Sequence, residues 1–179
     1  MTPVRARGRR PSLVAVGVVE AIFVTAGGSQ PMQRVDEVEA VAGAGLAGDR
    51  YAQGTGYWSG VDECQVTLIE AEALDGITAS TDVRVTEGQH RRNVVVRGVE
   101  LRGLAGATFT IGEARFAYDR PRPPCRYIQS ITQPGMTRAL AARRGGVCVR
   151  VVESGVLRVG DELVVEDVSR VAAWFDRLR

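Results

Sequence analysis

The sequence predicts a mostly β fold (α+β): a barrel or twisted sheet with a few short helices and a C-terminal helix. Many short apolar or alternating runs are separated by turn residues, and few runs have helical character. The chain has 179 residues, of which 45% are hydrophobic and 25% charged, and this composition is typical of one globular domain. We expect a disordered basic arm over residues 1–12, a β domain over 13–166 and an amphipathic helix over 167–179.

The N-terminal part of the chain supplies the first predicted strands. The apolar run 13–24 predicts a buried strand, although the two arginines before it resemble a twin-arginine export signal. Glu20 interrupts this run too early for a signal, and no small-residue cleavage site follows. Apolar and polar residues alternate over 35–41, which predicts a half-exposed strand, and residues 65–69 predict a short strand.

The rest of the chain predicts two short helices among further strands. A helix is expected over residues 68–77, ending at Gly76. Another is expected over 137–144, with Thr137 as N-cap and Gly145 as the stop. Further strands are expected at residues 83–85, 91–98, 104–109 and 114–118, followed by a three-stranded meander at 147–152, 156–159 and 163–166. The terminal helix would pack on the domain or on a second copy of the chain in a homodimer.

The basic residues exclude several kinds of chemistry. The chain has no lysine, so neither a Schiff base with pyridoxal phosphate nor a P-loop lysine is available. The single histidine, His90, excludes a zinc site with two histidines, and we expect it at the surface or in a turn. The net charge of +2 does not favour a nucleic-acid partner. No apolar run approaches the roughly 20 residues of a membrane span, so a membrane partner is not expected.

The three cysteines are Cys64, Cys125 and Cys148. Their odd number, wide spacing and lack of a zinc pattern favour reduced thiols in a cytoplasmic protein. Cys64 and Cys148 are expected to be structural.

A glycine-rich stretch, Gly43-Ala-Gly45-Leu-Ala-Gly48, has the spacing of a dinucleotide fingerprint. The helix that such a fingerprint requires does not follow, because the chain continues with three more glycines by residue 60. We therefore interpret the stretch as a flexible loop whose amides and Arg50 could line an anion site. The alternative is a plain connecting loop.

The segment around Cys125 is the strongest candidate for chemistry. Cys125 follows two prolines and has Arg120, Arg122 and Arg126 as neighbours in sequence. The prolines predict an extended, stiff backbone rather than a helix. Nearby positive charge favours the thiolate, which is the reactive form of cysteine. The alternative interpretation is that Cys125 is a small, buried residue that only packs against apolar neighbours.

The order of several motifs resembles the MOSC domain, named after the C-terminal domain of molybdenum cofactor sulfurases. No single motif is decisive, but their order and spacing together are specific. The motifs are Gly45-Leu-Ala-Gly48-Asp49-Arg50, Gln65-Val-Thr-Leu-Ile69, Arg92-Asn93-Val-Val-Val-Arg-Gly98-Val-Glu-Leu101, Leu104-Ala-Gly106, Phe109-Thr-Ile-Gly112, Pro124-Cys125, Arg144-Gly-Gly146 and Val159-Gly160-Asp161.

The resemblance implies a MOSC-type β-barrel over nearly the whole chain and an essential cysteine at Cys125. That cysteine would carry sulfur as a persulfide or bind molybdenum in a molybdopterin cofactor. Many relatives have Glu-Pro-Cys where this chain has Pro123-Pro124-Cys125, so the acid is missing and the thiol is kept. The pyridoxal-phosphate-binding domain of larger relatives is absent from this sequence. Its expected sulfur source is therefore a cysteine desulfurase or another sulfur donor.

Cofactor contacts are expected from residues on the matching loops, because guanidinium groups bind phosphate as forked donors. These residues are Asp49, Arg50, Arg92, Asn93 and Arg126, with Arg143 and Arg144 added if the fold brings them close. The alternative interpretation is that Asn93 is a turn residue at the start of a strand and that the arginines lie on a solvent-exposed face.

Three functions stay open at this stage. The first is cofactor binding or sulfur transfer through Cys125. The second is a molybdenum-dependent reductase of N-hydroxylated bases, which would need a separate electron-donor protein because the sequence has no flavin or iron–sulfur motif. The third is a non-catalytic binding module with an inert cysteine.

Overall fold

The computed structural model describes residues 14–61 and 64–165. The predicted basic arm and terminal helix lie outside these ranges. The strands are β1 (Val14–Val24), β2 (Gln33–Val35), β3 (Glu37–Val41), β4 (Gly45–Leu46), β5 (Val66–Glu70), β6 (Val94–Arg97), β7 (Thr108–Ile111), β8 (Ala114–Pro121), β9 (Val147–Glu153), β10 (Gly155–Arg158) and β11 (Glu162–Val165). The helices are α1 (Ala71–Ser80), α2 (Arg126–Ile131) and α3 (Met136–Ala139), and Leu101–Leu104 forms a 3₁₀ turn.

Seven strands form a closed barrel. Strands β1, β6, β5, β9, β8, β7 and β11 are hydrogen-bonded in this order, and β11 pairs with β1 to complete the ring. The β5–β6 pair is parallel and the other pairs are antiparallel. Strand β2 continues the sheet beyond β1, and β10, β3 and β4 form a separate small sheet. The mostly β fold class with few short helices, predicted from the sequence, is confirmed.

Two apolar clusters lie on opposite sides of the barrel wall. The barrel interior is filled by side chains such as Leu68, Phe109 and Phe116, all fully buried. The outer cluster packs α1, α2 and α3 against β1, β5 and β6 and includes Ile69 and Ile77. Strand residues alternate between the two clusters, as the period of a β-strand requires. The outer helices thereby cover a wall that would otherwise expose apolar surface.

The predicted meander near the C-terminus is wrong. Strands form at all three expected places, but β9 pairs with β5 and β8, β10 pairs with β3, and β11 pairs with β1 and β7. None of the three strands therefore pairs with another of the three, and only the β8–β9 pair among these joins strands that are consecutive in the chain. Short turns allow hairpins, but closing the barrel gives β9 and β11 two partners each, and β10 pairs with β3 in the separate small sheet.

Several predicted element limits also differ from the structure. Helix α1 runs through Gly76 to Ser80, because Leu74 and Ile77 bury their side chains in the outer cluster and hold the last turns. Residues 83–85 do not form a strand. The second predicted helix is one short turn, α3, and its N-cap is Gly135 in the left-handed conformation rather than Thr137. Residue 104 ends a 3₁₀ turn, and the strand expected from there begins only at Thr108.

No helix within the described residues is long and apolar enough to cross a membrane.

Candidate functional site

A cavity of about 620 Å³ opens at one end of the barrel. The β8 and β9 strands are antiparallel with Pro121 opposite Val147, so the end of β8 and the start of β9 meet at this edge. The start of β6 lies at the same level, because Val94 of β6 and Val147 of β9 both pair with Leu68 of β5. The cavity is lined by Gly28, Arg50, Tyr51, Tyr57, Trp58, Val61, Arg91, Arg92, Arg120, Pro121, Arg122, Pro123, Pro124, Cys125, Tyr127, Ile128 and Ile131.

Cys125 lies on the cavity wall and is partly buried. Its backbone is extended, with φ −124° and ψ 168°, in agreement with the predicted extended segment and typical of the residue that caps a helix. Helix α2 starts at the next residue, so Cys125 stands at the junction of a stiff strand-like segment and a short helix. The Thr137 hydroxyl donates a hydrogen bond to the carbonyl oxygen of Cys125 at 3.2 Å. The thiol is thus attached to a backbone that is fixed on both sides.

Arg92 connects the segment that contains Arg122 and Cys125 to the barrel. It is buried, and its Nε donates to the carbonyl oxygen of Gly145 at 2.7 Å while its Nη2 donates to that of Arg122 at 3.4 Å. The Arg122 amide also donates to the carbonyl oxygen of Gly146 at 2.8 Å. Burial lowers the pKa of Arg92 to about 10, so the guanidinium stays charged at neutral pH. One side chain therefore joins three sequence motifs that lie far apart in the chain.

A buried hydrogen-bond chain holds Arg50 at the cavity. The Asp49 carboxylate accepts from Arg50 Nη1 at 3.2 Å and from Asn93 Nδ2 at 3.1 Å. Asn93 Oδ1 in turn accepts from the Thr67 hydroxyl at 2.8 Å. The Arg50 guanidinium lies 4.4 Å from the ring centre of Tyr51. Asp49 and Asn93 are fully buried and do not line the cavity, so they support Arg50 from behind.

Arg91 adds a further cation to the wall. It has a left-handed backbone with φ 61°, and its guanidinium donates to the carbonyl oxygens of Gln30 and Gly28. Burial and the nearby Arg50 lower its pKa to about 10. Arg91 and Arg92 therefore bind different segments of the chain, Arg91 at Gly28 and Arg92 at Gly145.

His90 is buried, which corrects the surface position expected for it, although it does lie in a turn. Its Nδ1 accepts from the Arg92 amide at 3.0 Å, and its ring packs edge-on against Phe23. Burial, with Arg92 and Arg91 nearby, lowers the pKa of His90 to about 3. The ring is therefore a neutral packing group behind the site.

Aromatic side chains form the other wall of the cavity. Tyr57 stacks on Tyr127, with ring centroids 3.8 Å apart and planes 15° from parallel, and Trp58 meets Tyr57 edge-on. Tyr57 is still 59% exposed, so this stack lies at the mouth of the cavity. Sequence reasoning missed these residues. The signal was three aromatic residues within a glycine-rich loop, where no core explains them.

The residues predicted as site residues divide into three groups. Cys125, Arg50 and Arg92 line the cavity, and Asp49 and Asn93 lie behind it. Arg126, Arg143 and Arg144 are not among the lining residues, and Arg126 is exposed. Arg91, Arg120 and Arg122 line the cavity but were not predicted as cofactor contacts.

A seven-stranded barrel with a cysteine-bearing, arginine-lined cavity at one end defines the class of this protein. The chain belongs to the MOSC domain family, whose model matches residues 55–164. No curated protein matches the chain.

Three solved structures share the fold. The YuaD protein from Bacillus subtilis superposes with a TM-score of 0.68 at 19% identity, covering 87% of this chain and 97% of that one. YiiM from Escherichia coli gives 0.59 at 18% identity, covering 87% and 76%. YiiM from Geobacillus stearothermophilus gives 0.58 at 17% identity, covering 86% and 75%. At these identities the similarity supports the barrel fold alone.

Proposed function

We propose that this chain binds a molybdenum cofactor in the cavity, with Cys125 as the protein ligand to the metal. The observation that carries the proposal is the position of Cys125 on the wall of a cavity that five arginines also line. When bound, such a cofactor supplies two-electron chemistry at the metal. The chain's own residues bind it, orient it and shield it from water.

The size and charge of the cavity suit a molybdopterin. A volume of about 620 Å³ is that of a small-molecule site. A molybdopterin carries a phosphate and a flat, polar ring system. Arg50, Arg91 and Arg92 offer permanently charged donors for the phosphate. The aromatic wall of Tyr57 and Tyr127 offers a surface on which a flat ring can stack.

The described residues favour a metal ion that binds as part of the cofactor rather than one that several protein side chains hold. Residues 14–61 and 64–165 contain no group of three His, Cys, Asp or Glu side chains placed to hold a metal ion. A metal at Cys125 would therefore need its remaining ligands from the cofactor. Asp49 and Asn93 would act indirectly in this proposal, by fixing Arg50.

The test is the cofactor content of protein expressed in cells that make molybdopterin. We expect the purified wild type to contain molybdenum and pterin in equal amounts. Cys125→Ser should lose molybdenum, and Arg92→Gln should lose both. Arg126→Gln is the matched control, because this arginine is adjacent to Cys125 in sequence but does not line the cavity.

Each outcome of this test has a meaning. Wild-type protein without molybdenum or pterin, purified from such cells, would overturn the proposal. Intact mass spectrometry that instead finds one added sulfur atom on Cys125 would show the persulfide-carrier function. Loss of cofactor from Arg126→Gln, with Arg92→Gln unchanged, would place the anion site outside the cavity. Melting temperatures of all variants check that each one is folded.

A second candidate function is supported by the aromatic stack at the cavity mouth. A planar N-hydroxylated base would stack on the exposed ring of Tyr57, which leaves Tyr127 to the cofactor, and a separate electron-donor protein would supply two electrons. The measurement is reduction of an N-hydroxylaminopurine by the molybdenum-loaded protein with an added reductase. Equal rates for wild type and a Tyr57→Ala variant would remove the support that the stack gives.

A further inference from the structure

Cys64 and Cys148 meet in a second place that the proposed function does not use. Their sulfur atoms are 2.6 Å apart, although the residues are 84 positions apart in sequence. Cys148 lies in β9 opposite Thr67 of β5, and Cys64 precedes β5 by two residues. Both are free cysteines and both are buried. The sequence predicted that they are structural, and it did not predict that they meet.

The charges around this pair favour loss of one proton. The Cys64 thiol donates to the Cys148 sulfur, and this hydrogen bond lowers the pKa of Cys148 to about 7, with help from Arg122, Arg120 and Arg92. The same bond and burial raise the pKa of Cys64. The two sulfurs therefore share a proton and a negative charge. A shared thiolate next to guanidinium groups is the reactive form of cysteine.

A second cavity gives Cys64, but not Cys148, an opening separate from the main one. It has a volume of about 410 Å³ and includes Cys64 and Gln65 in its wall. Tyr51 lines both cavities. Cys64 itself is only 3% exposed, so a molecule the size of peroxide fits this approach far better than a bulky alkylating reagent.

We infer that Cys64 and Cys148 form a redox-active dithiol site, which a small peroxide oxidises to an intramolecular disulfide. The shared proton moves to Cys148, and the Cys64 thiolate at the second cavity attacks one peroxide oxygen, so the O–O bond breaks and a sulfenic acid and hydroxide form. The second sulfur then attacks the sulfenic sulfur, the S–O bond breaks, and the S–S bond forms. The sulfurs lose two electrons, the peroxide gains them, and the two thiol protons leave with its oxygens as two waters. A dithiol reductant restores the pair.

The inference does not depend on the proposed function, since neither cysteine lines the main cavity. Its test uses the full chain with Cys125→Ser, in which the pair holds the remaining thiols. After treatment with hydrogen peroxide and unfolding, we expect no thiol that can be alkylated and a mass lower by two hydrogen atoms. Trypsin should then release residues 51–84 joined to residues 145–150, and dithiothreitol should separate them.

If Cys125→Ser does not fold, the same peroxide treatment and digestion of the wild type still test the inference. Its digest should contain the same joined peptides, while the peptide 116–126 that holds Cys125 stays separate. Cys64→Ser and Cys148→Ser should each abolish the joined peptide, and a bulky maleimide should label neither cysteine in the folded wild type. The inference is overturned if both thiols survive a peroxide dose that oxidises Cys125, or if the disulfides formed are between chains.

Discussion

Arg92 shows why arginine, rather than any cation, is required at the site. Its forked guanidinium reaches two carbonyl oxygens on different segments, those of Gly145 and Arg122. An ammonium group is a single charged point and does not span both in one plane. The sequence contains no lysine at all, so composition alone could not distinguish this requirement from a general preference for arginine. The two hydrogen bonds of Arg92 show that this position requires a guanidinium group.

His90 gives the protein a predictable response to acid. The unfolded chain protonates this ring below a pKa of 6.5, whereas the folded chain does so only near 3. Between these values the unfolded state binds one more proton, so stability falls as the pH falls through this window. We expect His90 to contribute a slope of up to about 1.4 kcal/mol per pH unit. Chemical denaturation of the wild type at several pH values between 5 and 6.5 would measure it.

The control for this prediction is His90→Asn. Asparagine does not titrate, and its side-chain oxygen can accept from the amide two residues on, as His90 Nδ1 does from Arg92. The variant should be less stable at neutral pH, because it loses the ring contact with Phe23. Its slope between pH 5 and 6.5 should nevertheless be flatter than that of the wild type. Equal slopes would mean that His90 is protonated in the folded protein.

Two glycines in different elements should respond oppositely to alanine. Gly146, just before β9, has φ 77°, and an added Cβ would lie 2.0 Å from the carbonyl oxygen of Leu68. We expect Gly146→Ala to cost more than about 2 kcal/mol, because backbone must move and the left-handed conformation is strained. Gly76 lies in α1 with nothing within 4 Å of an added Cβ. Gly76→Ala should therefore stabilise the fold by about 0.5–1 kcal/mol.

Urea denaturation of both variants beside the wild type checks this pair. A stable Gly146→Ala protein would show that the turn into β9 can shift without loss. Destabilisation by Gly76→Ala would show that α1 is bent at that point rather than regular. Since Gly146 precedes the strand that carries Cys148, the first variant also reports how tightly this edge of the barrel is held.

The elements divide clearly into those that sequence predicts and those that it does not. The alternation over 35–41 and the apolar run 13–24 predicted β3 and β1, because period-two patterns are local. The partners of β9, β10 and β11 were not predictable in this way. Barrel closure selects the partners of β9 and β11, and the separate small sheet selects that of β10. The β1–β11 and β3–β10 pairs join residues more than a hundred positions apart. Helix α1 continues past Gly76 for a similar reason, because tertiary packing outweighs the low helix propensity of glycine.

The site could be predicted only in part, for a reason that belongs to the whole molecule. Cys125 follows two prolines in a pattern that local chemistry can interpret, whereas Arg92 was expected only from the resemblance to the MOSC motifs. Tyr57 and Trp58 belong to a loop, and Arg91 belongs to a buried turn. Their place at the cavity follows from how the chain returns to one edge of the barrel. No local pattern contains that information.

The barrel and its outer helices should unfold as one unit, because they share the strands between them. Leu68 and Ile69 are neighbours in β5, yet one fills the barrel and the other the outer cluster. Loss of either cluster would therefore expose the other face of the same strand. We expect Leu163→Ala in the barrel and Ile77→Ala in the outer cluster each to cost about 2–5 kcal/mol, since both side chains are fully buried. Both should lower the midpoint of one transition, with equal calorimetric and van't Hoff enthalpies. A second transition in Ile77→Ala, in which the amide hydrogens of α1 exchange while those of β7 and β8 stay protected, would mean instead that the helices detach while the barrel stays closed.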